Sequence, residues 1–222
     1  LVQKDFINNM THEFKTPIST ISLIQQTLSD PEIANNPAKL RTYSEIIGVE
    51  TKRLNAQVEK VLNIAKIEKG QFSLNKENIA VHEVIDQLVS NVENTEGKEH
   101  QVRITSTQNA MDDIIKADNV HFTNILFNLV DNAIKYGGSP PEVRIDTENK
   151  GNKIIISITD NGKGIDKKEL KKIFDKFYRI PTGNVHNVKG FVFFLFYVQK
   201  IVEAYKWNVK VNSELGKGTT FE

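Results

Sequence analysis

The strongest constraint on the fold is a repeat of apolar side chains at alternating three- and four-residue steps. Ile7, Met10, Phe14, Ile21, Ile24 and Leu28 follow it, and Pro17 occupies the one missing step. This is the a/d spacing of helices packed side by side. Ser29-Asp30-Pro31 interrupts the run, because proline lacks the N–H that a helix interior needs. Asn36-Pro37 restarts it, with an N-cap asparagine ahead of a proline at the first helical position. Leu40, Ile47, Leu54 and Val61 then fall seven apart, supported by Tyr43, Val58, Ile64 and Ala65, and Gly70 is placed as a C-cap. One hairpin buries only part of such a seam. Two copies forming a four-helix bundle would bury the rest, so a homodimer is expected.

The 222 residues leave room for one large domain or two small ones. A net charge of +1 gives no basis for binding nucleic acid or an anionic membrane surface. The absence of cysteine excludes disulfides and thiolate metal sites. The longest strongly apolar run, 191–198, is far short of the roughly 20 residues that span a bilayer. The helical pattern is already under way at Leu1, which implies an upstream portion and, with it, any membrane anchor.

Beyond Gly70 the periodicity changes. Short runs at 72–78, 101–107 and 143–147 read as strands, and 154–158 as a buried β-branched strand. Helical patterns at 81–92, 120–136 and 193–205 alternate with them. The expected class is α+β. Residues 1–70 would form the helical hairpin of a dimeric bundle, and residues 71–222 an α/β sandwich with helices on one face of a mixed sheet.

Three clusters carry polar chemistry. His12 falls at an f position of the heptad, facing solvent, with Glu13 beside it and Thr16 one turn on; taken alone, a solvated histidine on a polar helix face is the plainer explanation. Asn124, Asn128 and Asn132 lie four apart, with Lys135 one turn beyond Asn132. They form either a solvated stripe or a set of hard amide oxygens suited to Mg²⁺, with a compact cation suited to phosphate. Thr159-Asp-Asn-Gly-Lys-Gly-Ile165 directly follows a strand and taken alone is an ordinary glycine turn.

Taken together and in this order, the segments resemble the catalytic core of sensor histidine kinases. Phe6-Ile-Asn-Asn-Met-Thr-His-Glu-Phe-Lys-Thr-Pro17 is similar to their H-box, and Asn124-Ile-Leu-Phe-Asn-Leu-Val-Asp-Asn-Ala-Ile-Lys-Tyr136 to their N-box. Thr159–Ile165 is similar to the G1 motif, Ile173-Phe-Asp-Lys-Phe-Tyr-Arg179 to the F-box, and Gly216-Lys-Gly-Thr-Thr-Phe221 to the last glycine motif.

The resemblance implies ATP-dependent autophosphorylation of His12 and transfer of the phosphoryl group to a response-regulator aspartate. Glu13 would orient His12 and take its proton, and Thr16 would help remove phosphate from the regulator. Asn132 would hold Mg²⁺ with support from Asn128, and Lys135 would contact phosphate. Tyr136 would line the nucleotide pocket, and Asp160 would accept from the adenine amino group. Gly162 and Gly164 would admit the base, Thr219 would lie beside it, and Arg179 would reach the γ-phosphate. Segment 180–189 would be a lid. The same likeness implies the cytoplasmic portion of a membrane-anchored sensor. A chaperone or topoisomerase ATPase would explain the N-box and G1 motif but not the hairpin.

One motif departs from the pattern. Where the family has G-x-G-L-G-L, this chain has Gly190-Phe-Val-Phe-Phe-Leu195, keeping Gly190 and the final leucine. Val192 and Phe194 stand at glycine positions whose backbone N–H groups would approach phosphate. The departure implies weakened nucleotide binding on an intact fold. The alternative function is a kinase-impaired dimeric scaffold or phosphatase.

Overall fold

In a computed structural model, residues 2–68, 74–99, 101–176, 178, 180 and 194–222 are described. The chain divides into two compact units, Leu1–Phe72 and Ser73–Glu222. The expected C-cap Gly70, the lid and most of the altered glycine motif (190–193) lie outside the described residues.

The first unit is helical: α1 (Val2–Leu28), a single turn α2 (Pro31–Ala34) and α3 (Pro37–Glu68). Pro31 ends α1 and also starts α2, because Asp30 Oδ1 accepts from Glu32 N at 2.9 Å and proline suits the first helical position. Asn36 Oδ1 accepts from Lys39 N at 3.1 Å and starts α3 in the same way. Met10, Pro17 and Ile24, seven apart, are buried where α1 packs on α3. Leu40 and Val58, expected on the seam, are exposed, and Leu23 and Val49 are 64% and 63% exposed. One hairpin has too few neighbours to cover both flanks of its apolar stripe.

The second unit runs β1 (Glu77–Ala80), α4 (Val81–Glu99), β2 (Arg103–Gln108), β3 (Ile114–Ala117), α5 (Asn119–Tyr136), β4 (Glu142–Lys150), β5 (Lys153–Asp160), α6 (Phe194–Ala204), β6 (Val211–Glu214) and β7 (Gly218–Phe221). A five-stranded sheet has the order β2-β4-β5-β7-β6, with β2 and β4 parallel and the remaining pairs antiparallel. β1 and β3 pair separately, with Ile79 opposite Ile115. That pairing places a strand at Glu77–Ala80; of the expected run 72–78, residues 74–76 are not strand and 72–73 lie outside the described residues.

β4 and β5 run longer than their apolar residues suggest. Their hairpin ladder continues through Glu148, Asn149 and Lys150 to the turn at Gly151, because backbone hydrogen bonds do not require apolar side chains. Val143, Ile145, Ile158 and Phe221 are buried on one sheet face, together with Ile85 and Leu88 of α4 and Leu126, Leu129 and Val130 of α5. The opposite face is polar, and there Arg144 Nε meets Asp146 Oδ2 at 2.8 Å. β5 is therefore half-buried rather than fully buried: Ile154, Ile155 and Ile156 keep partial exposure, and Ile158 is covered. No described helix is long and apolar enough to cross a membrane.

Candidate functional site

Helix α5 is fixed at both ends. At its start Asp118 is the N-cap, with Oδ1 accepting from His121 N at 3.1 Å. Its apolar stripe turns Ile125, Leu126, Leu129, Val130 and Ala133 into the core, and this sets the direction of the asparagines. The three do not form one uniform polar face. Asn124 is exposed, and the Tyr197 hydroxyl of α6, which burial pushes up to about 12, lies 2.9 Å from His121 Nδ1. Asn128 is only 8% exposed, and Asn132 is half-buried. No described residue engages the amide of Asn128 or Asn132. Lys135 Nζ lies 2.5 Å from Asp131 Oδ2 at the end of the helix, and Tyr136 is exposed.

The carboxylate expected on the adenine side sits at the end of β5. Asp160 is buried, and its Oδ1 accepts from Gly162 N at 2.8 Å and from Thr219 N at 3.2 Å. Burial raises its pKa above the ordinary 3.8, and the two N–H donors offset part of that shift. No described residue donates to Oδ2. Thr219 lies directly opposite Asp160 in the β5–β7 ladder, which explains its place beside the carboxylate.

The glycines of this turn serve close packing of the chain on itself. A side chain at Gly162 would meet Tyr136 O at 2.1 Å. Gly164, at φ +70°, would bring one to 2.0 Å from Glu214 O. The end of α5 is thereby held directly against the Asp160 turn.

Two residues at this site escaped the sequence reading. Ser213 Oγ accepts from Ile165 N at 2.8 Å, donates to Gly218 O at 2.9 Å and lies 2.9 Å from Thr219 Oγ1. Its only sequence signal is a hydroxyl on a strand too short and polar to be recognised. Asn161 stood inside the glycine motif between better-marked neighbours, and its side chain bonds the loop that follows α5.

In the first unit, the backbone of α1 carries residues 12 and 13, whose side chains lie outside the described set. Thr16 is exposed, and its carbonyl accepts from Thr20 Oγ1 at 3.1 Å. Pro17 is fully buried inside the helix and offers no N–H to the carbonyl four residues earlier. Arg179 and Gly190 lie outside the described residues, as does Phe177 of the F-box. Among the described residues, no group of three His, Cys, Asp or Glu could hold a metal ion.

Residues 2–70 match the His Kinase A (phospho-acceptor) domain. Residues 117–222 match the family of histidine kinase-, DNA gyrase B- and HSP90-like ATPases. The chain is 46% identical over 227 residues to the sensor protein RprX of Bacteroides fragilis, covering 99% of this chain and 43% of RprX. It thus spans less than half the length of that relative. Among solved structures, ShkA in complex with AMPPNP superposes with a TM-score of 0.71 at 19% identity, over 95% of this chain and 43% of ShkA. ThkA in complex with the response regulator protein TrrA gives 0.64 at 21% identity, over 98% of this chain and 59% of the other. The two matched domains follow one another in this order and together take in most of the chain, which belongs to the histidine kinases as one of their catalytic cores.

Proposed function

We propose that the chain phosphorylates its own His12 from ATP and passes the phosphoryl group to an aspartate of a response-regulator receiver domain. The observation that carries this reading is the buried Asp160 carboxylate. Oδ1 is committed to two backbone N–H groups, and Oδ2 is left for the exocyclic amino group of adenine. Thr219 lies beside the base, Tyr136 lines the pocket, and Gly162 and Gly164 hold the turn tight enough for the base to lie on it.

The uncommitted amides of Asn128 and Asn132 fit a Mg²⁺ ion, which Asn132 would ligate and Asn128 would support. The ion would supply charge neutralisation at the phosphates. Lys135 and Arg179 would add cationic contacts to the phosphates, Arg179 at the γ-phosphate, and Gly190 would be the one glycine of its motif left to admit the nucleotide.

Phosphoryl transfer then needs little from the protein beyond positioning and charge. The His12 imidazole nitrogen attacks the γ-phosphorus and forms a P–N bond. The bond to the bridging oxygen breaks, ADP leaves with the electron pair, and Glu13 takes the imidazole proton. In the second step an aspartate oxygen of the regulator displaces the imidazole from phosphorus. Thr16, exposed on the same helix, serves the reverse function by assisting hydrolysis of the regulator phosphate. ThkA, solved with its regulator, supports this class of partner. The uncovered apolar side chains Leu23, Ile46, Val49 and Leu62 support a homodimer through the hairpin. The likeness to longer sensor proteins supports a cytoplasmic core carried by an upstream membrane anchor.

The test is incubation with radiolabelled ATP and Mg²⁺ beside a His12→Ala control. Acid-labile label that depends on His12 is the expected outcome. A folded dimer that takes up no label overturns the kinase reading and favours a regulator-binding scaffold.

A further inference from the structure

Asn161 makes a second clamp back to back with that of Asp160. Its Oδ1 accepts from Gly138 N at 2.8 Å and from Glu142 N at 2.9 Å, and its Nδ2 donates to Pro140 O at 3.1 Å. Its backbone N–H also donates to Glu142 O at 3.3 Å. One side chain thus fixes the connection between α5 and β4, which begins directly after Tyr136. The neighbouring residue does the equivalent on the other side, with Asp160 Oδ1 holding Gly162 N and Thr219 N.

The loop has little freedom of its own. A side chain at Gly137 would meet Ala133 O at 2.5 Å, and one at Gly138 would meet Asn161 Nδ2 at 2.8 Å. Asn161 is exposed to solvent, where water could satisfy its amide. Burial therefore does not force these bonds, and their effect is to set where the loop sits. A nucleotide must span from Asp160 to Asn132 and Lys135, so its affinity depends on the spacing between the β5 turn and the end of α5.

We infer that Asn161 is a positioning residue for nucleotide binding, acting through the 137–142 loop to hold the phosphate-side end of α5 in register with Asp160. The inference rests on the ATP-site reading above and deepens it. Without the clamp the end of α5 shifts relative to Asp160, and one nucleotide can no longer satisfy both ends at once.

The experiment titrates ADP into the whole chain, followed by amide chemical shifts so that weak binding is visible. Asn161→Ala raises the dissociation constant by about tenfold while the protein stays folded. Asn161→Asp keeps the acceptor that holds two N–H groups and recovers most of the affinity. Gly138→Ala displaces the amide from the other side and weakens binding in the same direction, giving a second folded test. A residue that merely supports the fold would lower the unfolding midpoint and leave the affinity of the folded protein at the parent value. Parent affinity in both folded Asn161→Ala and Gly138→Ala, with Asp160→Asn impaired, overturns the inference alone. Parent affinity in Asp160→Asn overturns the site reading and this inference together.

Discussion

The backbone N–H of Asp118 donates to Tyr205 Oη at 2.7 Å, joining the start of α5 to the residue that follows α6. Asp118 Oδ2 also accepts from Asn75 N at 2.9 Å, so the first described residues of the second unit are tied to the same point. Tyr205 in turn stacks on Trp207 at 4.4 Å between ring centroids. Tyr205→Phe keeps the stacking and removes only the acceptor, leaving a part-buried N–H without a partner. The expected cost is about 1–3 kcal/mol of unfolding free energy, read from urea denaturation of the whole chain. An unchanged midpoint with an unchanged slope would show that solvent replaces the phenol at no cost.

Much of this arrangement could be read from the chain beforehand, and the gaps have physical causes. The heptad steps from Met10 to Ile24 and the cap at Asn36 fix α1 and α3, because helix signals are local. Strands β1 and β3 depend on each other through the Ile79–Ile115 pairing, and neither four-residue piece announces itself alone. The asparagine stripe could be recognised as a set, but only the packing of α5 separates an exposed Asn124 from a buried Asn128 and a half-buried Asn132. Asp160 was visible from its motif. The clamp formed by Asn161 was not, because its partners at Gly138, Pro140 and Glu142 come close only once α5 and β4 have packed.

The two buried carboxylates answer pH with opposite signs. At Asp118 burial alone would raise the pKa, but the N–H donors of His121 and Asn75 outweigh it and hold the carboxyl below 3.8. Its stabilising effect is present above 3.8 and lost as pH falls through the depressed folded value. At Asp160 burial wins and the pKa is raised, so the folded protein binds the extra proton between 3.8 and that raised value. Stability therefore falls as pH rises through this window. On the proposed adenine contact nucleotide binding runs the other way, since the ionised carboxylate is the stronger acceptor and a protonated Oδ2 would present a donor instead. The ADP dissociation constant is expected to rise as the medium becomes mildly acidic, and Asp160→Asn should remove that dependence along with most of the affinity. A pH profile that is unaltered by the substitution would assign the dependence to another group.

Gln57 places a polar group on the hairpin seam. It is 5% exposed, and among the described residues its Oε1 has no hydrogen-bond partner. A buried acceptor left unpaired costs about 1–3 kcal/mol. Gln57→Leu keeps a similar volume and should raise the unfolding free energy by a comparable amount, measured at several protein concentrations so that dimerisation is separated from folding. If Gln57 instead bonds across the interface of a dimer, the leucine variant will dissociate more readily, and the loss will grow as the protein is diluted.

The altered glycine motif gives the sharpest forecast about activity. Phe194 begins helix α6, and Val192 and Phe193 precede it where the family carries glycine and leucine. At a phosphate-binding helix start, glycine lets consecutive N–H groups point at the anion and permits positive φ, which a β-branched residue strongly resists. Restoring Val192→Gly, Phe193→Leu and Phe194→Gly together is expected to tighten ADP binding by at least about tenfold and to raise His12-dependent label in step. The interior of α6 should be unaffected, because Tyr197, Val198, Ile201 and Val202 anchor it in the core. Equal and tight binding before and after the triple change would mean that the phosphates are held without those glycines, leaving Asn132, Lys135 and Arg179 to carry the load.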